Sequence, residues 1–247
     1  MRKRFNLDMA TLDEMMILVH GGYGKGKTHL GGDMLREEQK QGPVRYINVR
    51  GEDGFTSIAR FGLGDVAETC ETYDDLKSVR DELRQKPARA VVLDSAKQVG
   101  SLIAKSITGS DRPLRTGNTN NEYGPFNWEI DHFFKSLRGC AQVFMVVCPS
   151  DKSVDQLSGD ILWTPDLPGR NAVGSAGWFD FVFVLDAKVI GPNKVKRRLI
   201  TGPESSIVTR TRLPLPMPTE IDIPEGGGGW LKLRTAIETT FAKGGTK

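Results

Sequence analysis

Cysteine and histidine are scarce in this sequence, at three residues each. Cys70, Cys140 and Cys148 form no C-x-x-C pair and are odd in number, which argues against a disulfide framework or a zinc site and favours a reducing compartment. His20, His29 and His132 have no ligand spacing among themselves or with the cysteines, so they read as core, helix-surface or capping residues rather than metal ligands. Long apolar runs are missing near the N-terminus too. Residues 15–19 are far too short for a signal-peptide core or a membrane span, and the expectation is a soluble, cytoplasmic protein. Nor does one sign of charge dominate: a net charge of +3 admits a polyanionic partner but is far from that of a dedicated nucleic-acid tail. What the sequence does have is 38% apolar residues over 247 positions, enough to bury a core and to exclude disorder as the default.

Short β-type runs alternate with helical patterns. Residues 16–20, 44–49, 90–94, 143–148 and 181–185 are strand-like and each stops at Gly, Pro, Asp or polar residues. Between them, 27–39, 74–83, 96–107 and 128–137 have the length and spaced apolar positions of amphipathic helices. This alternation predicts an α/β fold, a mainly parallel sheet with crossover helices. Residues 108–126, rich in Gly, Asn, Asp, Pro and Thr, predict a long mobile surface loop. After residue 185, closely spaced strands at 196–201 and 206–211 predict antiparallel strands added at one sheet edge. One domain over 1–247 is expected. Residues 1–13 form its N-terminal extension, and 213–247 a Pro/Gly-rich C-terminal tail with a short final helix.

Gly21, Gly22, Tyr23, Gly24, Lys25, Gly26, Lys27 and Thr28 match G-x-x-x-x-G-K-[ST], and they lie between a predicted strand and a predicted helix, where the mechanism of that motif requires them. Glycines let successive N–H groups point at phosphate oxygens, and the helix adds the positive end of its dipole. Lys27 is expected on the β/γ-phosphates. Thr28 offers a hydroxyl to Mg²⁺, which prefers hard oxygen ligands. Asp94 ends the apolar strand of residues 90–94, so it emerges beside the phosphate loop and is expected to hold Mg²⁺, with N-capping of the next helix as the competing role. Ser95 follows where many ATPases place their general base, so the base must come from elsewhere. Glu52, just past the strand 44–49, is the candidate if that strand neighbours the Asp94 strand, and Asp53 is its rival.

With these residues in view (the loop Gly21 to Thr28, Gly51-Glu52, the Asp94-Ser95 strand end, Tyr123-Gly124, the strand and loop 143–150, and Pro168-Gly169-Arg170), the chain resembles the RecA-like P-loop NTPases. It is most similar to the compact phage ATPases of the Sak-four type, over about residues 14–213. The resemblance implies a RecA-like core and ATP hydrolysis with Mg²⁺. It further implies binding of single-stranded DNA in phage-type recombination and annealing, in a homo-oligomeric filament or ring in the host cytoplasm, with a single-strand DNA-binding protein as a further partner. It makes Ser150 the polar sensor, although a histidine or glutamine is more usual there.

Two loops after core strands, 150–160 and 166–178, are where DNA would be tracked, with Lys152 and Arg170 as the candidate contacts and interleaved aspartates working against them. Arg210 and Arg212 alternate along a strand and so share a face. The resemblance puts that strand at a subunit boundary and makes the pair fingers for a neighbour's γ-phosphate. Two other classes compete: a nucleotide-gated regulatory or assembly ATPase without direct DNA action, and a small-molecule kinase, for which residues 108–126 supply only Arg112 and Arg115 as lid arginines.

Overall fold

A computed structural model of the chain describes residues 14–116, 121–154, 161–168, 171–192, 194–202, 207–213 and 216–244. Strand β1 (Met15–Gly21) is buried along its whole length. A strand covered on both faces needs apolar side chains at odd and even positions alike, and Met-Met-Ile-Leu-Val supplies them. Met16 and Leu18 enter one core while Met15, Ile17 and Val19 enter the other.

Along the chain follow α1 (Lys27–Glu38), β2 (Val44–Val49), α2 (Phe55–Ala59), β3 (Ala67–Cys70), α3 (Tyr73–Gln85), β4 (Ala88–Asp94), α4 (Ala96–Thr108) and α5 (Tyr123–Ser136). Then come β5 (Ala141–Val154), β6 (Ile161–Pro165), α6 (Asn171–Gly174), β7 (Phe181–Gly191), β8 (Lys194–Ile200), β9 (Arg210–Thr211), β10 (Glu220–Ile223) and α7 (Gly229–Gly244). The strands lie in the order β10-β8-β7-β1-β5-β4-β2-β3, with β6 on β5 and β9 on β7. From β3 to β7 every pairing is parallel, while β8, β10 and β9 add antiparallel. This is the mainly parallel, helix-flanked sheet with an antiparallel edge expected from the sequence. Helices α3, α4 and α5 cover one face, with Leu76, Val99, Ile103, Phe126, Ile130 and Phe134 in its core. Helices α1, α2 and α7 cover the other, through Leu30, Met34, Ile58, Trp230, Leu233 and Ile237. Among the described residues no helix is long and apolar enough to cross a membrane.

Four local expectations are corrected. Residues 220–244 are not a tail: β10 pairs with β8, and α7 buries Trp230, Leu233 and Ile237 completely, each aliphatic side chain worth roughly 1.5–3 kcal/mol. The glycines at 226–229 resemble a linker in sequence, but Asp33 of α1 accepts the Gly228 and Trp230 N–H groups at 3.0 and 2.9 Å and caps α7 from a distance. Glu38, also on α1, accepts from Trp230 Nε1 (2.8 Å), Arg234 (2.6 Å) and Arg89 (2.6 Å), tying α7 and β4 to α1. Second, α5 begins at Tyr123, and Arg112 grips Glu122 with two hydrogen bonds of 2.8 and 2.6 Å, so the 108–126 segment is closed at its base and Arg112 is already engaged. Third, within the expected loop 150–160 the described residues 150–154 are strand, the end of β5, and pair antiparallel with β6 at 161–165. Fourth, the strand expected at 206–211 is only Arg210–Thr211, with residue 206 outside the described residues.

Candidate nucleotide site

Because β1, β2, β4 and β5 are parallel, their carboxyl ends emerge at one edge, where His20 pairs with Cys148, Gly21 with Pro149, and Asp94 with both Val147 and Asn48. Gly26 caps α1 at φ 99°, a left-handed conformation that only glycine adopts without strain. No side chain caps this helix and its first turn holds no acid, so its positive end is left for an anion. Lys27 Nζ folds back onto the Gly21 and Gly22 carbonyls at 2.9 Å each. Burial pushes its pKa below the ordinary lysine value, opposed by the charges of Asp94, Cys148 and Glu52. Tyr23 is exposed, and its hydroxyl accepts from Lys97, which pairs with Asp166 at 2.6 Å. Lys25 turns from the loop toward β7, donating to the Ala187 carbonyl (2.5 Å) and Asp186 (3.3 Å).

Asp94 ends β4, and its Oδ2 accepts from the Thr28 hydroxyl at 2.7 Å and the Tyr46 hydroxyl at 2.9 Å. Burial raises its pKa, while the hydrogen bonds from Thr28 and Tyr46 and the charge of Lys27 lower it. A carboxylate and a hydroxyl oxygen in contact beside an uncapped phosphate loop are the hard donors Mg²⁺ takes, so the residues fit that ion. Among the described residues no cluster of three or more His, Cys, Asp or Glu is placed to hold a metal. Tyr46 is a member that sequence reading missed. It explains Gly54, where a Cβ would stand 1.9 Å from the Tyr46 hydroxyl oxygen.

Strand β2 lies beside β4, and past its end Glu52 accepts a short hydrogen bond from the Ser95 hydroxyl. Burial raises the Glu52 pKa, and Asp94 adds to the rise; the Ser95 bond, Lys27 and Lys97 oppose it. Asp53 is exposed. Ser150 sits where β5 passes Gly21, its hydroxyl 2.8 Å from His20 Nδ1, while His20 Nε2 lies 2.9 Å from the Val208 carbonyl. A carbonyl only accepts, so Nε2 carries the proton and Nδ1 accepts from Ser150. Burial pushes the His20 pKa down to about 4, which keeps the ring neutral.

The remaining sequence candidates lie apart from this edge. Lys152 is exposed on the β5–β6 hairpin with Nζ 4.9 Å from the Trp163 ring centre. Arg170 lies outside the described residues. Arg210 donates to the Ala176 carbonyl (2.6 Å), and Arg212 to Asp180 (2.9 Å), which Arg138 also contacts. Arg212 N–H bonds the Asp180 carbonyl and Asp180 N–H bonds the Met16 carbonyl, five residues before Gly21, while Arg210 pairs with Val182, opposite Leu18, three residues before Gly21, so their backbones are set back roughly 10–16 Å along the sheet from their own phosphate loop.

A family model described as AAA domain (AAA_24) matches residues 13–213. Solved structures to which the chain is similar include these two. One is a KaiC-like protein from the hyperthermophilic archaeon Pyrococcus horikoshii OT3, with 15% identity over 85% of this chain and 89% of that one and a TM-score of 0.48. The other is the flagellar accessory protein FlaH from Methanocaldococcus jannaschii, with 12% identity over 85% and 84% and a TM-score of 0.46. Among curated proteins no match was found.

Proposed function

We propose, because the chain belongs to the AAA domain family and is a P-loop ATPase of the RecA-like type, that it hydrolyses ATP to ADP and phosphate as one RecA-like domain. The observation that carries this reading is the meeting of Lys27, Thr28, Asp94 and Glu52 at one sheet edge from three separate strand ends. The loop from Gly21 to Thr28 holds the phosphates, with Lys27 released from the Gly21 and Gly22 carbonyls to the β/γ-phosphates. Thr28 and Asp94 would hold Mg²⁺, which would neutralise charge on the terminal phosphate oxygens. Glu52, steadied by Ser95, takes a proton from the attacking water as its oxygen bonds to the γ-phosphorus. The bond from that phosphorus to the bridging oxygen breaks, and ADP leaves with the electron pair.

The finer reading is an ATP-dependent single-stranded DNA-binding and annealing protein, closest to the Sak-four type, acting as a homo-oligomer in phage-type recombination with a single-strand DNA-binding protein as partner. It is supported by the sequence resemblance and by the β5–β6 hairpin. That hairpin starts at Ser150 beside the phosphate loop and presents a cation stacked on an aromatic ring, a pairing suited to a base and a phosphate. ATPase assays with and without single-stranded DNA test it. Stimulation supports the reading, DNA-indifferent turnover favours a nucleotide-gated assembly factor, and transfer to an acceptor reveals a kinase. Lys152→Ala and Arg170→Ala are each expected to weaken single-strand affinity and flatten its salt dependence by about one unit of slope, with nucleotide binding unchanged. A slope retained in the double variant moves the DNA surface elsewhere.

Arg210 and Arg212 are set back from their own loop and engaged with the Ala176 carbonyl and Asp180, so the role argued for them on a γ-phosphate is across a subunit boundary. Arg210→Ala and Arg212→Ala are expected to bind ATP normally yet lose concentration-dependent turnover. Mixing either with Lys27→Ala restores part of it, since one partner supplies an intact site and the other an intact finger. Full concentration-dependent turnover in the single variants excludes the role.

A further inference from the structure

An arginine other than Arg210 and Arg212 touches the phosphate loop. Arg197 lies on β8 opposite Ala187 of β7, and the ribbon formed by these strands leans over the loop, where Lys25 donates to the Ala187 carbonyl. From this ribbon Arg197 reaches Gly26, the residue that caps α1: a Cβ built on Gly26 would lie 3.1 Å from Arg197 Nε and 3.4 Å from its Cδ. The guanidinium therefore occupies the space that the missing side chain of Gly26 leaves open, at the positive end of the phosphate-binding helix.

Its bonding is unlike that of its neighbours. Among the described residues Arg197 Nε is buried without a hydrogen-bond partner, and the carboxylate paired with this arginine, that of Glu225, is 4.0 Å away. The next residue, Arg198, is held by Asp186 and Glu220, and Lys25 and Lys97 are likewise paired with acids. His29 Nε2, in the first turn of α1, is also buried and without a partner. A buried donor left unpaired costs free energy. Arg197 Nε, placed beside an uncapped helix end, gains that cost back when an anion arrives.

We propose that Arg197 binds the diphosphate portion of the nucleotide held in its own chain, acting in cis beside Lys27. This rests on the phosphate-loop reading above and adds a second fixed cation to it. Arg197 is then the reason the β7–β8 ribbon folds back over the loop, and it makes affinity for ADP as well as ATP depend on that ribbon.

The test is equilibrium binding of ADP and ATP to the full chain, dilute enough to be monomeric, for the wild type, Lys27→Ala, Arg197→Met and Arg197→Lys. Methionine keeps the apolar stem and removes the charge; lysine keeps the charge and loses the planar fork. Arg197→Met is expected to bind both nucleotides roughly ten- to a hundred-fold more weakly. Arg197→Lys recovers part of that loss and keeps the fold should Arg197→Met unfold. Unchanged ADP affinity in both variants overturns the proposal. So does restoration of binding on mixing with Lys27→Ala, which would place the arginine on a neighbour's nucleotide. If the wild type binds neither nucleotide, the phosphate-loop reading itself has failed, a result distinct from wild-type binding that survives loss of Arg197.

Discussion

Lys27→Ala is expected to cut ATP affinity and turnover by at least about two to three orders of magnitude, the usual cost of removing one charge-stabilising donor from a phosphoryl-transfer site. The lysine is held ready at small cost. Its two acceptors are the Gly21 and Gly22 carbonyls, and no carboxylate must be given up when a phosphate takes their place. Burial has already weakened its hold on the proton, while Asp94 and Glu52 work to keep it charged. Because its hydrogen bonds are to carbonyls of its own loop rather than to a core side chain, the variant should fold with a melting temperature close to that of the wild type. Titration with a fluorescent ATP analogue and a turnover assay check this. Normal values in both remove the phosphate-loop assignment.

Glu52→Gln is expected to leave ATP and Mg²⁺ bound and to slow hydrolysis by about two to four orders of magnitude, the contribution of a positioned base. The amide keeps the shape and still accepts from Ser95, but it cannot take a proton from water. A pH signature accompanies the rate. Burial first, then Asp94, raises the Glu52 pKa. The ionised form is the active one, so wild-type turnover should fall as pH drops through that raised value. The acid limb then lies above the ordinary carboxylate range. In Glu52→Gln this limb should vanish along with the activity. Single-turnover rates across pH decide it, and normal hydrolysis in Glu52→Gln with loss in Asp53→Asn would hand the role to the exposed neighbour.

The sequence by itself determined the parts whose signals are local. Gly21 to Thr28 is contiguous, Asp94 terminates an unbroken apolar strand, and alternation of short apolar runs with helical periodicity suffices to give a parallel sheet with crossovers. Tertiary structure alone decided what depends on which strands become neighbours. Glu52 reaches Ser95 because β2 pairs with β4, and Tyr46 reaches Asp94 from two residues before Asn48 on the same strand. Nothing in the spacing of His20, Ser150 and Val208 forecasts their hydrogen-bonded row, which needs β1 and β5 side by side and the 207–208 segment folded across them. The C-terminal segment misled because its glycines and prolines carry a linker's composition, whereas its order comes from Asp33 and Glu38 almost two hundred residues earlier. Arg197 shows the same division: its charge is visible in the sequence, but only the antiparallel turn of β7 into β8 lays it across Gly26. Backbone preference and hydrophobic period act over a few residues. Charge, hydrogen bonding and packing act over ångströms, and the chain must fold before those distances exist.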